Sequence, residues 1–303
     1  MKVSVIICTI RREELIAKAL DSLVRQSFRD FEVLLVKPPT EEPVAAEASG
    51  GFPLRRLEAP KGLPRARNVG LEHAQGEFIC FLDDDVVLES DFLAVTVAWM
   101  DKPELADVGG MTGYDTANYG RQLSGRWKMR HRLGMLPTLE PGGADHLGRS
   151  VPLAFFAPFQ GCREVKWLPG FCQIFRRSVI EGMRYDELSV VEDRDFSMEV
   201  ARKSRLVACG ELRLAHMYDK QGRHRQAVQV RRAAFGLGRS YAKRRRSFRD
   251  WGRVAWTLVG EFLLDMLVLV KRPNWENLKT SVYRLDGFVA GFTSLGQTKV
   301  RIS

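Results

Sequence analysis

From its first residues the chain alternates short apolar runs with segments of helical spacing. Val3–Cys8 is apolar apart from Ser4, as expected of a strand buried on both faces. Thr9–Arg12 reads as a turn, and Glu13–Gln26 carries Leu15, Ile16, Ala19, Leu20 and Leu23 at helical spacing. A second apolar run, Phe31–Val36, is stopped by Pro38 and Pro39. Strand, helix and strand in this order predict a βαβ unit and a parallel sheet. "PLRRLEAP" (residues 53–60) predicts a short third strand. Pro64–Gly76 predicts a helix with proline near its start and glycine past its end, and Glu77–Leu82 a fourth strand.

Beyond this the signal is uneven. Asp91–Met100 is helical in pattern, whereas residues 107–170 are rich in glycine, proline and aromatics and show no clear period. "VKWLPGFCQIFRRSVIEGM" (165–183) predicts a strand, a glycine-bearing turn, then a strand or helix. Asp195–Lys203 predicts a helix, and "RLVACGELRLAH" (205–216) a strand pair or strand-turn. From Arg225 onward the chain reads as basic helix, followed by an apolar run, Val254–Val270, that ends before Pro273. The expected class is α/β: a mixed, mainly parallel sheet flanked by helices, with a basic, amphipathic helical extension. The expected division is residues 1–222 for the sheet-bearing domain and 223–303 for the extension.

Composition sharpens this division. Of 303 residues, 45% are hydrophobic, which supports a core and argues against disorder. The formal net charge is +10, yet Arg213–Arg253 alone holds 13 Lys/Arg against two Asp, a net of 13 − 2 = +11. The excess therefore belongs to an appendage, and no nucleic-acid partner is expected for the chain as a whole. Cys8 and Cys80 lie inside apolar runs and read as buried thiols, which points to a reducing, cytoplasmic compartment. The N-terminal run is short, contains Ser4 and Thr9, and reads as a first strand rather than a signal peptide.

The run Val254–Val270 holds Glu261 and Asp265, four apart on one helical face. It falls short of the ~20 residues of a spanning helix, and each central acid would cost about 2.5–3.5 kcal/mol to insert. Two readings stay open. Either the helix lies on the cytoplasmic face of an anionic membrane, or it packs on the sheet-bearing domain or on a second subunit of a homo-oligomer.

The chemistry concentrates in "FICFLDDDVVL" (Phe78–Leu88), where three aspartates end the fourth strand. Ligands in open parallel sheets bind beyond the carboxyl ends of the strands. In an extended chain Asp83 and Asp85 share a side, and two such carboxylates suit a hard divalent cation, Mg²⁺ or Mn²⁺, with a diphosphate as its partner. The competing reading is a solvated turn with aspartate as a helix N-cap; the place at a strand end favours the ligand. A second cluster, Glu192, Asp193 and Asp195, reads equally as a general base in a pocket or as a helix first turn stabilised by the dipole. His216 alone reads as a packed histidine, and beside a metal as a third ligand.

Five stretches in order, "SVIICTIRREELIAKALDSLVRQSFRDFEVLLV", "GLPRARNVGLEHAQGEFICFLDDD", "WLPGFCQIFRRSVIEGMRYDE", "VEDRDFSMEVARKSRL" and "LAHMYD", resemble the inverting family 2 glycosyltransferases of GT-A fold over roughly residues 1–220. The resemblance implies a nucleotide-diphosphate sugar as donor and a glycan or lipid-linked acceptor. It implies that Asp83 and Asp85 hold the metal and the diphosphate, with Asp84 between them, and that His216 completes the metal site. It implies Asp193 as the general base, supported by Glu192. Thr9, Arg12, Arg65, Asn68 and Gly170 fall in segments that line the donor; within Pro64–Gly76, Arg65 is expected to reach toward the nucleotide, while Arg67 and Asn68 read as mainly structural. One departure bears on donor choice: "VKPPTEE" follows the second strand where the family usually has an acidic turn, so Lys37 stands near the place of an acid. Nucleotidyltransferases and dehydrogenases want glycines after the first strand, and "CTIRREE" has none. A degenerate member that kept the fold and lost donor binding is the non-catalytic alternative.

Overall fold

The computed structural model describes residues 1–10, 12–39, 51–217, 226–271 and 273–294. In chain order its elements begin β1 (Val3–Cys8), α1 (Glu13–Val24), β2 (Phe31–Lys37), β3 (Leu54–Glu58), α2 (Leu63–His73), β4 (Phe78–Asp83), β5 (Val86–Leu88), α3 (Phe92–Met100) and β6 (Val108–Asp115). They continue with α4 (Gly125–Arg132), β7 (Cys162–Val165), β8 (Cys172–Arg176), α5 (Arg177–Ile180), α6 (Glu192–Val200), β9 (Arg205–His216), α7 (Gln226–Arg244), α8 (Phe248–Lys271) and α9 (Trp275–Thr293).

The chain divides into two compact units. The first comprises Met1–Arg121, Leu153–Glu187 and Glu192–Asp219, and the second Gln122–Pro152, Leu188–Val191 and Lys220–Ser303. The first is built on one mixed sheet in the order β3-β2-β1-β4-β8-β6-β9-β5, with β7 paired to β9. Its first four strands are parallel, in the register Cys8↔Asp83 and Cys8↔Val36 at their carboxyl ends. β8 joins β4 antiparallel, β6 and β9 run parallel to each other, and β5 and β7 close on β9 antiparallel. The parallel strands read as unbroken apolar runs because both faces are covered. Ile16, Leu20 and Leu23 of α1 pack with Val5 and Leu35 on one face, and Ile6, Phe81, Phe175 and Phe196 fill the other. The second unit is helical, with Leu147, Tyr241, Val254 and Phe288 at its centre.

Three expectations change. "RLVACGELRLAH" is a single strand of 12 residues rather than a strand pair. Gly210 marks close packing there, not a turn: a Cβ on it would stand 1.9 Å from the Phe159 carbonyl oxygen. The three aspartates are not one extended segment either. Asp83 ends β4, and Asp84 and Asp85 form the turn into β5. Finally, Cys8, Cys80 and Cys172 are free, but Cys162 and Cys209 face each other across β7 and β9 and form a disulfide, which runs against the reducing compartment read from the cysteines.

Candidate active site at the carboxyl ends of β1 and β4

The parallel register sets the site. β1 and β4 end side by side, so Thr9 and Arg12 of the loop after β1 meet the aspartates after β4. Thr9 Oγ1 donates to Asp84 at 2.6 Å, and Arg12 Nη1 donates to Asp84 at 3.0 Å and to Asp85 at 3.3 Å. Asp84 is thus buried and spent on tying the two loops together. Burial raises its carboxyl above the usual range even though Thr9 and Arg12 pull the other way.

Asp83 and Asp85 converge with His216 despite the turn between them. A ligand atom from each lies within 4.8 Å of the others. β9 delivers His216, because Val86 of β5 pairs with it directly. His216 Nε2 is 3.1 Å from Asp85 Oδ1, an ion-pair contact inside the site. Burial pushes Asp83 up to about 6, with Asp85 adding to the effect and Arg67 opposing it. Burial also works against the charge on Asp85, but His216 and Arg12 outweigh it and hold that carboxyl low. For His216, burial is outweighed by Asp85 and Asp83, which raise the imidazole. Two carboxylates and an imidazole converging in this way fit a divalent cation such as Mn²⁺ or Mg²⁺.

Beside this trio lies the second acidic pair. Glu192 and Asp193 open α6, so the cluster occupies a helix first turn, where carboxylates are favoured. Asp193 Oδ2 accepts a hydrogen bond from the Gly170 amide at 2.7 Å. A Cβ on Gly170 would stand 2.8 Å from that oxygen and 3.0 Å from the Asp193 Cβ, so glycine is what allows the approach. Burial pushes the Glu192 carboxyl up to about 7, against the pull of Arg67.

Arg67 links the two halves. Its guanidinium is buried and donates to Asp83 at 3.2 Å, to Glu192 at 3.0 Å and to the Gly170 carbonyl at 2.9 Å. Sequence reading gave Arg67 a structural role only; its one signal was a charged residue on the inner face of α2. Two other residues of that helix do not join the cluster. Arg65 is exposed and paired with Glu187 at 2.9 Å. Asn68 is buried with its amide engaged at both ends by the Tyr185 backbone.

A cavity of about 360 Å³ opens next to Asp83 and Asp84. Val36, Pro38, Ala59 and Leu63 give it apolar walls, and Thr9 and Arg12 line its rim. No carboxylate from the end of β2 enters it among the described residues; Pro38 stands there instead, and Glu41 and Glu42 lie outside the described residues.

An α/β sheet that places a carboxylate–imidazole trio, a second acidic pair and a cavity at one edge defines a GT-A-type fold. The sequence model of Glycosyl transferase family 2 matches residues 4–183, and the chain belongs to that family. Among curated relatives, the succinoglycan biosynthesis protein ExoW of Rhizobium meliloti is 25% identical over 222 residues, covering 69% of this chain and 66% of that protein. A Campylobacter jejuni GalNAc(5)-diNAcBac-PP-undecaprenol beta-1,3-glucosyltransferase is 25% identical over 196 residues, covering 61% and 55%. The chain thus spans less than two thirds of the length of the curated relatives it matches, 29% in one Haemophilus influenzae protein. Among solved structures, the mannosyltransferase PcManGT of Pyrobaculum calidifontis, in complex with GDP-Man and Mn²⁺, superposes with a TM-score of 0.59 at 18% identity, covering 98% of this chain and 88% of its own. S. aureus TarS 1–349 with UDP-GlcNAc gives 0.57 at 18% identity, covering 96% and 82%. These likenesses establish the fold.

Proposed function

We propose that the protein transfers a sugar from a nucleotide-diphosphate sugar to an acceptor hydroxyl in a single displacement that inverts the anomeric centre. The observation that carries this reading is the convergence of ligand atoms from Asp83, Asp85 and His216 within 4.8 Å of one another. These three would hold Mn²⁺ or Mg²⁺, which when bound neutralises charge on the leaving diphosphate. Asp84 fixes the loop of Thr9 and Arg12 beneath the donor. The cavity offers the nucleoside apolar walls.

Asp193 is the general base. The Gly170 amide holds one of its oxygens, which orients the other to accept the acceptor's proton while the acceptor oxygen forms its bond to the anomeric carbon and the diphosphate leaves. Glu192 supports this arrangement through Arg67. The Campylobacter relative is named for an undecaprenol-linked acceptor and the Rhizobium relative for succinoglycan biosynthesis, which supports a lipid-linked or polysaccharide acceptor.

Incubation with a panel of UDP-, GDP- and dTDP-sugars and Mn²⁺, reading released nucleoside diphosphate, tests the reading. Turnover of one donor that EDTA abolishes and Mn²⁺ restores is expected. Absence of both turnover and donor binding across the panel would leave a degenerate binding protein instead.

A further inference from the structure

The second unit contains a helix whose polarity is reversed. Every exposed residue of α8 between Val254 and Lys271 is apolar. Trp256, Val259, Leu263, Leu267 and Val270 follow one another at steps of three and four, which makes a single stripe along one side. The acids of the same helix turn inward. Asp265 pairs with Arg126 at 2.7 Å and with Arg284 at 2.7 Å, and Glu261 pairs with Arg126 at 2.8 Å and with Arg130. A helix facing water does the opposite, with acids outside and leucines inside. α9 carries a similar apolar row, Trp275, Leu278, Val282, Leu285 and Val289 at steps of three and four, but exposes Glu276 and Asp286 as well, the latter paired with Arg231 at 2.5 Å.

Basic side chains bracket this face. Arg246, Arg249 and Arg253 are exposed at the start of α8 and Lys271 at its end. Asp250, the one acid among the first three, is buried against His146 at 2.9 Å. Phe248 and Trp251 lie exposed between these cations. No helix among the described residues is long and apolar enough to cross a membrane. The 24 residues of α8, apolar on its outward side and ion-paired on the other, fit a path along a surface.

We infer that α8 and α9 dock their outward apolar rows into the headgroup–acyl boundary of a membrane rich in anionic lipid, with Arg246, Arg249, Arg253 and Lys271 on the lipid phosphates. Charge complementarity selects this occupant. A second copy would bring an equally basic rim against the first, whereas an anionic bilayer offers apolar depth and negative charge together. The inference concerns the second unit alone and stands independently of the transfer chemistry.

Flotation of the full chain with phosphatidylglycerol–phosphatidylcholine vesicles, and with phosphatidylcholine vesicles, tests it. The protein floats with the anionic vesicles, and high salt or neutral vesicles reduce the bound fraction strongly. Phe262→Gln with Leu267→Gln lowers the partition coefficient at least about tenfold. Arg246→Gln with Arg249→Gln lowers it on the order of tenfold on anionic vesicles only. All four positions are exposed, and circular dichroism verifies that each variant is folded. Failure of the parent chain to float overturns the inference, as does flotation of the folded Phe262/Leu267 variant at the parent level. A dimer by light scattering that this variant converts to a monomer also overturns it, because the face is then covered by a second copy.

Discussion

The two units each bury a cluster of charge, and the clusters are built in opposite senses. In the first, Asp83, Asp84, Asp85 and Glu192 outnumber Arg12 and Arg67, and Asp83 and Glu192 are pushed up to about 6 and about 7. In the second, Arg126, Arg130 and Arg284 outnumber Glu261 and Asp265. Burial of Glu261 is outweighed by Arg130 and Arg126, which bring its carboxyl down to about 2. An acid-rich cluster suits the divalent cation proposed for it. A closed ion network has nothing left to bind and serves the scaffold.

That contrast can be broken at several points. The largest effect is expected in the first cluster, where Asp193→Asn lowers kcat on the order of a thousandfold while donor affinity by calorimetry stays at the parent level. Full activity in this variant would remove Asp193 as the base. In the second cluster, Glu261→Gln leaves Arg126 and Arg130 short of a buried partner and costs on the order of 3 kcal/mol in urea unfolding.

The pH dependence separates the clusters by sign. Glu261 has a folded pKa of about 2, below the ordinary 4.5, so its contribution is complete above pH 4.5 and is lost as pH falls from there through 2. Glu192 has a folded pKa of about 7, above 4.5, so its proton is held more tightly in the folded state and stability falls as pH rises from 4.5 through 7. Glu192→Gln therefore costs less stability at pH 8 than at pH 4, by roughly 1 kcal/mol or more in urea unfolding. A midpoint that drops equally at both would show that the Arg67 contact dominates. The smallest effect belongs to the exposed pair: Arg65→Ala shifts stability by less than about 1 kcal/mol.

Much of the first unit was legible because its strands carry their burial in their composition. β1, β2 and β4 are apolar runs bounded by proline, glycine and charge, and they appear within a residue of the expected bounds. β6 was not legible: "VGGMTGYD" is fully buried, but its glycines mask the apolar signal. The disulfide depends on the register of β7 on β9 across 47 residues, which local pattern does not encode. The convergence of Asp83 and Asp85 was anticipated from an extended chain, whereas a turn achieves it together with the strand that brings His216. The spacing of Glu261 and Asp265 placed them on one helical face, but not which way that face turns. Their partners Arg126 and Arg130 lie on α4, in the stretch without periodicity.

The single guanidinium at the centre of the first unit also constrains the routes by which this sequence can change. Arg67 serves Asp83, Glu192 and the Gly170 carbonyl at once. Replacing either acid alone unbalances a buried charge, replacing Arg67 alone strands two acids, and a side chain at Gly170 would stand 2.8 Å from the Asp193 carboxylate. Positions 67, 83, 170 and 192 therefore form an epistatic block, and viable descendants are expected to drift around it or to cross it only by coordinated substitution.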